Sequence, residues 1–132
     1  MTRKPILIIV TLIILSAIIL SACKATRSPA AVIVEYLEAL AESDQTSAVN
    51  NSCAAWEEKA IAEGNSFINV EVTLTNLECQ VLEQTETEAT VTCSGSFVSS
   101  YAAGEDQELD LSALNFSLIM ESGEWRMCGY TR

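Results

Sequence analysis

The apolar residues of this chain change their spacing near Phe67, and that change sets the fold class. Before it, Ile33, Tyr36, Leu37 and Leu40 recur at helical spacing, with Glu35, Glu38 and Glu42 on the other side. Ser28-Pro29 is a helix start, Ser as N-cap and Pro at the first position, and the helix should end near Glu42. Ser43-Asp44 can cap a second, short helix carrying Ala48 and Val49. Ser52 can cap a third, in which Cys53, Trp56 and Ala60 share a face and Gly64 is the C′ residue. After Phe67 the period is two. Val70, Val72 and Leu74 alternate with polar residues, and Leu77, Cys79 and Val81 do so on the opposite parity. The parity switch predicts a bulge or bend across Thr75-Asn76 in one long strand. Val91, Cys93, Gly95 and Phe97 mark a second strand after the polar turn 84–88, residues 107–120 a third, and residues 124–131 a fourth beyond the Ser122-Gly123 turn. Helices followed by strands with short connections predict an α+β fold, the N-terminal helices packed on a four-stranded antiparallel meander.

The first 22 residues belong to a different kind of segment. Arg3 and Lys4 precede a run from Ile6 to Leu20 that is apolar except for Thr11 and Ser16. A permanent spanning helix needs about 20 apolar residues. A basic start, a shorter apolar run and small closing residues are the order of a signal peptide. The closing Leu20-Ser21-Ala22-Cys23 resembles the lipobox of bacterial lipoproteins. That resemblance implies a diacylglyceryl thioether on Cys23 and cleavage after Ala22. Two or three acyl chains, at about 0.8 kcal/mol per buried CH₂, hold a protein firmly where one does not. The expected organisation is therefore a signal peptide at 1–22, a lipidated N-terminus and tether at 23–28, and one domain at 29–132. Its expected place is the extracytoplasmic face of a bacterial membrane, anchored to membrane lipid through Cys23. A tether of five residues reaches about 17 Å at most, which keeps the domain close to the bilayer.

From Cys23 onward there are 18 acidic and five basic residues. Phosphate recognition needs clustered Lys and Arg, so nucleic acid is not an expected partner. The chain contains no histidine, which removes the commonest general base and the commonest zinc ligand. No Cys-x-x-Cys pair is present either. We therefore expect a non-catalytic domain without metal or cofactor. Glu105, Asp106, Glu108 and Asp110 form a dense acidic turn with oxygen ligands of the kind Ca²⁺ takes, but without the EF-hand pattern; alternating acids on a strand also read as its solvated face.

With Cys23 assigned to lipid, Cys53, Cys79, Cys93 and Cys128 remain. An even number of cysteines in a small exported domain reads as two disulfides, and three pairings are possible. A first hairpin centred near Glu86 would set Cys79 opposite Cys93 and leave Cys53, in the helical layer, for Cys128 on the last strand.

The Pro-capped first helix with its Tyr-Leu-Glu-Ala-Leu run at 36–40, the short helices after it, and a meander ending in Gly-Glu-Trp-Arg-Met-Cys-Gly-Tyr at 123–130 look like the cystatin-like/NTF2-like superfamily. The resemblance extends to small bacterial lipoproteins of that architecture and covers about residues 29–132. It implies a pocket between helix and sheet, for which Tyr36, Trp56, Phe67, Tyr101, Phe116 and Trp125 are the candidate lining. Aromatic residues at such spacing also simply fill a core. Some NTF2-like enzymes place catalytic groups near the first helix, where Tyr36 and Asp44 lie, but no residue motif matches and no role is carried over. The reading is a tethered binding or interaction domain for an unidentified protein or small ligand. Its alternatives are a small-ligand carrier using the aromatic pocket and a histidine-free NTF2-like enzyme.

Overall fold

The computed structural model describes residues 26–132. The expected signal peptide and the lipidation site Cys23 lie outside the described residues. Helix α1 spans Pro29–Ala41, and the Ser28 hydroxyl accepts a hydrogen bond from the Ala31 N–H. Its Val32, Ile33, Tyr36, Leu37 and Leu40 are buried. Helix α2, Gln45–Asn50, is capped by Asp44, which accepts from the Ser47 N–H and hydroxyl.

The third helix departs from expectation at both ends. Helix α3 spans Glu57–Ser66, so Ser52 does not cap it and Gly64 lies inside it. The sheet claims the segment where the helix was expected to begin. The Cys53 N–H donates to the Met127 carbonyl, the Met127 N–H donates to the Asn51 carbonyl, each at 2.8 Å, and the Ser52 hydroxyl turns back to the Ala48 carbonyl. Backbone committed to that parallel bridge cannot also be helical. Gly64 is buried beside Gln45, with 3.9 Å of room for a Cβ.

The sheet contains β1 (Glu71–Gln84), β2 (Glu88–Ser100), β3 (Gln107–Asp110), β4 (Asn115–Glu121) and β5 (Glu124–Thr131), all antiparallel. The order is β1-β2-β4-β5, and β3 also pairs with β2. The expected third strand is therefore two strands, split by a 3₁₀ turn at Leu111–Ala113. The break follows from a bend in β2. Gly95 has φ +96°, and a Cβ there would lie 2.3 Å from the Thr75 carbonyl oxygen, so only glycine fits against the β1 bulge. That bulge falls between Thr75 and Glu78, where the parity switch predicted it. Strand β4 pairs with residues 88–92 and β3 with residues 96–99, one on each side of the bend. A single straight strand cannot follow both halves. Asp110 caps the resulting turn by accepting from the Ser112 N–H and hydroxyl, while Leu111 enters the core.

The core lies between the helices and one face of the sheet, where α1 meets Val91, Phe97, Phe116, Leu118, Trp125 and Met127. Strand β1 is an edge strand with no buried residue, and Leu82 is 53% exposed. Two disulfides are present: Cys79–Cys93, at directly opposed positions of β1 and β2, and Cys53–Cys128, which joins the helical layer to β5.

Strand β5 carries a bulge of its own. Ser117 faces Gly129 and Leu118 faces Met127, so Cys128 is the extra residue. A one-residue insertion reverses which face later side chains take. Met127 is buried before the bulge, and Tyr130 rejoins the inner face after it, opposite Phe116.

Candidate functional site

A pocket of about 130 Å³ lies between α1, α3 and the bent sheet. Tyr36, Leu37 and Leu40 of α1 form one wall, and Glu63, Ser66 and Phe67 at the end of α3 form another. Phe97 and Leu109 from the β2–β3 arm, Leu111 and Leu114 from the turn, and Phe116 and Tyr130 from the β4–β5 pair complete it. The break in the expected third strand therefore contributes to the site: the 3₁₀ turn delivers two leucines to the wall.

One carboxylate organises the polar side of this apolar socket. The Tyr36 hydroxyl donates to Glu63 Oε2 at 2.5 Å, and the Tyr130 hydroxyl donates to Glu63 Oε1 at 2.7 Å. The Trp56 Nε1–H donates to the Tyr36 hydroxyl oxygen at 3.3 Å. The rings also pack: Trp56 meets Tyr130 edge-on with centroids 5.7 Å apart, and Phe116 lies 5.8 Å from Tyr130. Burial first, and then the Glu63 acceptor, push the Tyr36 phenol well above its ordinary range. The same causes push Tyr130 up to about 12. Both phenols are thus held as donors. A carboxylate offers about four lone-pair directions and the phenols take two, so Glu63 retains acceptor capacity.

Three of the six aromatic candidates, Tyr36, Phe67 and Phe116, line this pocket. Trp56 stands behind the wall, holding Tyr36 and Tyr130 in place. The other two candidates do not reach it. Trp125, 4% exposed, packs in the core opposite Met120, on the near side of the β5 bulge. Tyr101 lies just past the end of β2, where the chain leaves the sheet, and is 40% exposed. The lining residues not among the candidates are Leu37 and Leu40 of α1, Glu63 and Ser66 of α3, and Phe97, Leu109, Leu111, Leu114 and Tyr130. For Glu63 a signal existed: Trp56, Ala60, Glu63 and Phe67 lie on one helical face by spacing. Tyr130 was not singled out; Gly129, an isolated glycine in the strand, was the available mark of the bulge at Cys128.

The remaining candidates serve the fold. Asp44 is a helix cap, its carboxyl lowered by the Ser47 side-chain and backbone hydrogen bonds. In the acidic turn, Glu108 accepts from the Ser96 hydroxyl at 2.5 Å and Asp110 caps the 3₁₀ turn. Among the described residues no three His, Cys, Asp or Glu side chains converge as metal ligands. Arg27, just before α1, bonds both Glu35 and Asn51 and ties the start of the domain to its helical layer.

No protein-family model and no curated protein matches the sequence. Solved structures do match its fold. A SEC-C motif containing protein from Rhodopseudomonas palustris is similar at TM-score 0.51 and 14% identity, over 80% of each chain. Aln2 from a Streptomyces species is similar at TM-score 0.52 and 12% identity, over 76% of this chain and 82% of its own. Pgp2 from Campylobacter jejuni, described as a helical cell shape determining protein, is similar at TM-score 0.50 and 10% identity. That match covers 76% of this chain but 38% of Pgp2. At such identities the likeness concerns the fold alone.

Proposed function

We propose that this chain is a membrane-anchored extracytoplasmic lipoprotein whose cystatin-like/NTF2-like domain is a non-catalytic binding module. On this reading the pocket beneath α1 receives one apolar group of a small ligand or partner. The lipobox-like Leu20-Ser21-Ala22-Cys23 supports the anchor. The two disulfides are consistent with an oxidising, extracytoplasmic compartment. Helices gathered on an antiparallel sheet interrupted by bulges, with a pocket between them, support the superfamily reading.

The observation that carries the binding function is the pocket itself: apolar on most sides, half open, and about 130 Å³ in volume. Drug-sized ligands occupy cavities of roughly 300–1,000 Å³, whereas a cavity of roughly 150 Å³ holds a single benzene ring. The site therefore suits one ring or one short branched chain. The state of the polar groups supports binding over catalysis. Phenols held protonated beside a carboxylate that already accepts from both are poor bases and nucleophiles, and good orienting groups.

The test uses the full chain in lipid nanodiscs and a neutral one-ring probe, benzyl alcohol, followed by NMR. Saturable shifts confined to Leu40, Leu109 and Tyr130, abolished when Leu109→Trp fills the cavity, are expected. Shifts that are absent, or indifferent to the filling substitution, would refute the binding reading. Cell fractionation of Cys23→Ala tests the anchor separately, and a variant that stays with the membrane as firmly as its parent removes it.

A further inference from the structure

We infer that the pocket selects a small organic ammonium ion: a protonated amine one carbon removed from an apolar group the size of a ring. This rests on the binding reading above and adds the chemistry of the ligand. Three observations converge on it. The first is the position of Glu63, half-buried in the lining of a mostly apolar cavity, with both oxygens engaged by phenols that leave further lone pairs free. The second is that none of the ion pairs among the described residues involves Glu63; they join Arg27 to Glu35 and Arg126 to Glu124. A donor that enters the pocket therefore finds a carboxylate that pairs with no described Arg or Lys. The third is the ring set around that carboxylate. Tyr36, Tyr130 and Phe116 line the cavity, and aromatic rings attract cations.

Charge acts in the same direction at longer range. The sequence from Cys23 onward carries 18 acidic against five basic residues, a field that concentrates cations near the surface and repels carboxylates and phosphates. Size sets the other limit. A cavity of about 130 Å³ accepts one ring, with the ammonium left at the rim where Glu63 lies. An N–H⁺ to carboxylate bond is worth roughly twice a neutral one. It should favour a benzylammonium over benzyl alcohol by about tenfold, a preference that hydrogen bonding to a charged group can supply.

The experiment compares benzylammonium, benzyl alcohol and benzoate on the same full chain in nanodiscs, reading dissociation constants from NMR titrations. Benzylammonium should bind about tenfold more tightly than benzyl alcohol, and benzoate should not bind. In Glu63→Gln, which keeps the size and an acceptor oxygen, the ratio between ammonium and alcohol should fall to near one. A preference that survives this substitution would come from the field of the whole domain and would overturn the assignment to Glu63. Equal binding of ammonium and alcohol by the parent chain overturns the cation inference and leaves the pocket standing; no binding of either overturns both. Should the variant not fold, the pose in the parent chain decides. Contacts from the probe's methylene to the Tyr36 and Tyr130 rings support the inference, and a pose with the ammonium in solvent refutes it.

Discussion

The two disulfides of this domain do different work. Cys79–Cys93 bridges neighbours on a hairpin that already has eleven paired positions between β1 and β2, and it closes a separation of 14 residues. Cys53–Cys128 closes a separation of 75 and holds a segment that meets the sheet through one parallel bridge, the Ala54 N–H on Glu121 and the packing of Trp56 on Tyr130. That segment leads into α3, which carries Glu63 and is followed by Phe67, and its partner Cys128 is the bulge residue that sends Tyr130 to the inner face. The first cross-link reinforces an edge already in register. The second fastens the helical wall of the pocket to its sheet wall. A cross-link constrains the unfolded chain more the longer the loop it closes.

The largest expected effect comes from Cys53→Ala/Cys128→Ala. On the chain-entropy account it lowers stability by about 4.5 kcal/mol in urea unfolding, and the Trp56 and Tyr130 ring resonances should lose their native shifts. Cys79→Ala/Cys93→Ala should lower stability by about 3 kcal/mol and leave those resonances in place. If the second pair disturbs the pocket as much as the first, the contrast is broken. Alkaline titration sharpens it. Tyr36 and Tyr130 ionise at higher pH in the folded chain than the usual value of 10.0, so the unfolded chain releases protons first. The stabilisation they bring is complete below pH 10 and is lost as pH rises toward and through about 12, the value for Tyr130. Thermal midpoints should fall over that window, and Tyr36→Phe should flatten the fall. The smallest effect is a gain. Gly64→Ala places a Cβ at ordinary contact distance from Gln45 inside α3, and should raise stability by about 0.5–1 kcal/mol in the same unfolding assay.

Legibility in the sequence followed locality. Helix α1 was readable to within a residue because its cap, its proline and its apolar stripe all lie inside a single segment. The bulge at Thr75-Asn76 was readable because the parity of apolar residues changes across it. Three features were not. Ser52 has the chemistry of a cap, but a strand more than seventy residues away holds its backbone. Residues 107–120 read as one strand because nothing within them reveals that their neighbour bends at Gly95. Tyr130 was not singled out for a related reason: the alternation of β5 is broken where it pairs with β4, with Gly129 as the one local hint. The pocket was half legible. Part of its aromatic content showed in the sequence, and Glu63 was within reach through its spacing from Trp56, Ala60 and Phe67, whereas the leucines of the 3₁₀ turn depend on the break between β3 and β4.

The bulge at Cys128 also joins two constraints in one residue. Cys128 is bonded to Cys53, and the same position reverses the facing of the side chains after it, so that Tyr130 meets the carboxylate of Glu63. On the function proposed above, a chain with those two thiols reduced should hold the Tyr130 wall less firmly, and the order of the pocket should follow the state of that single bond.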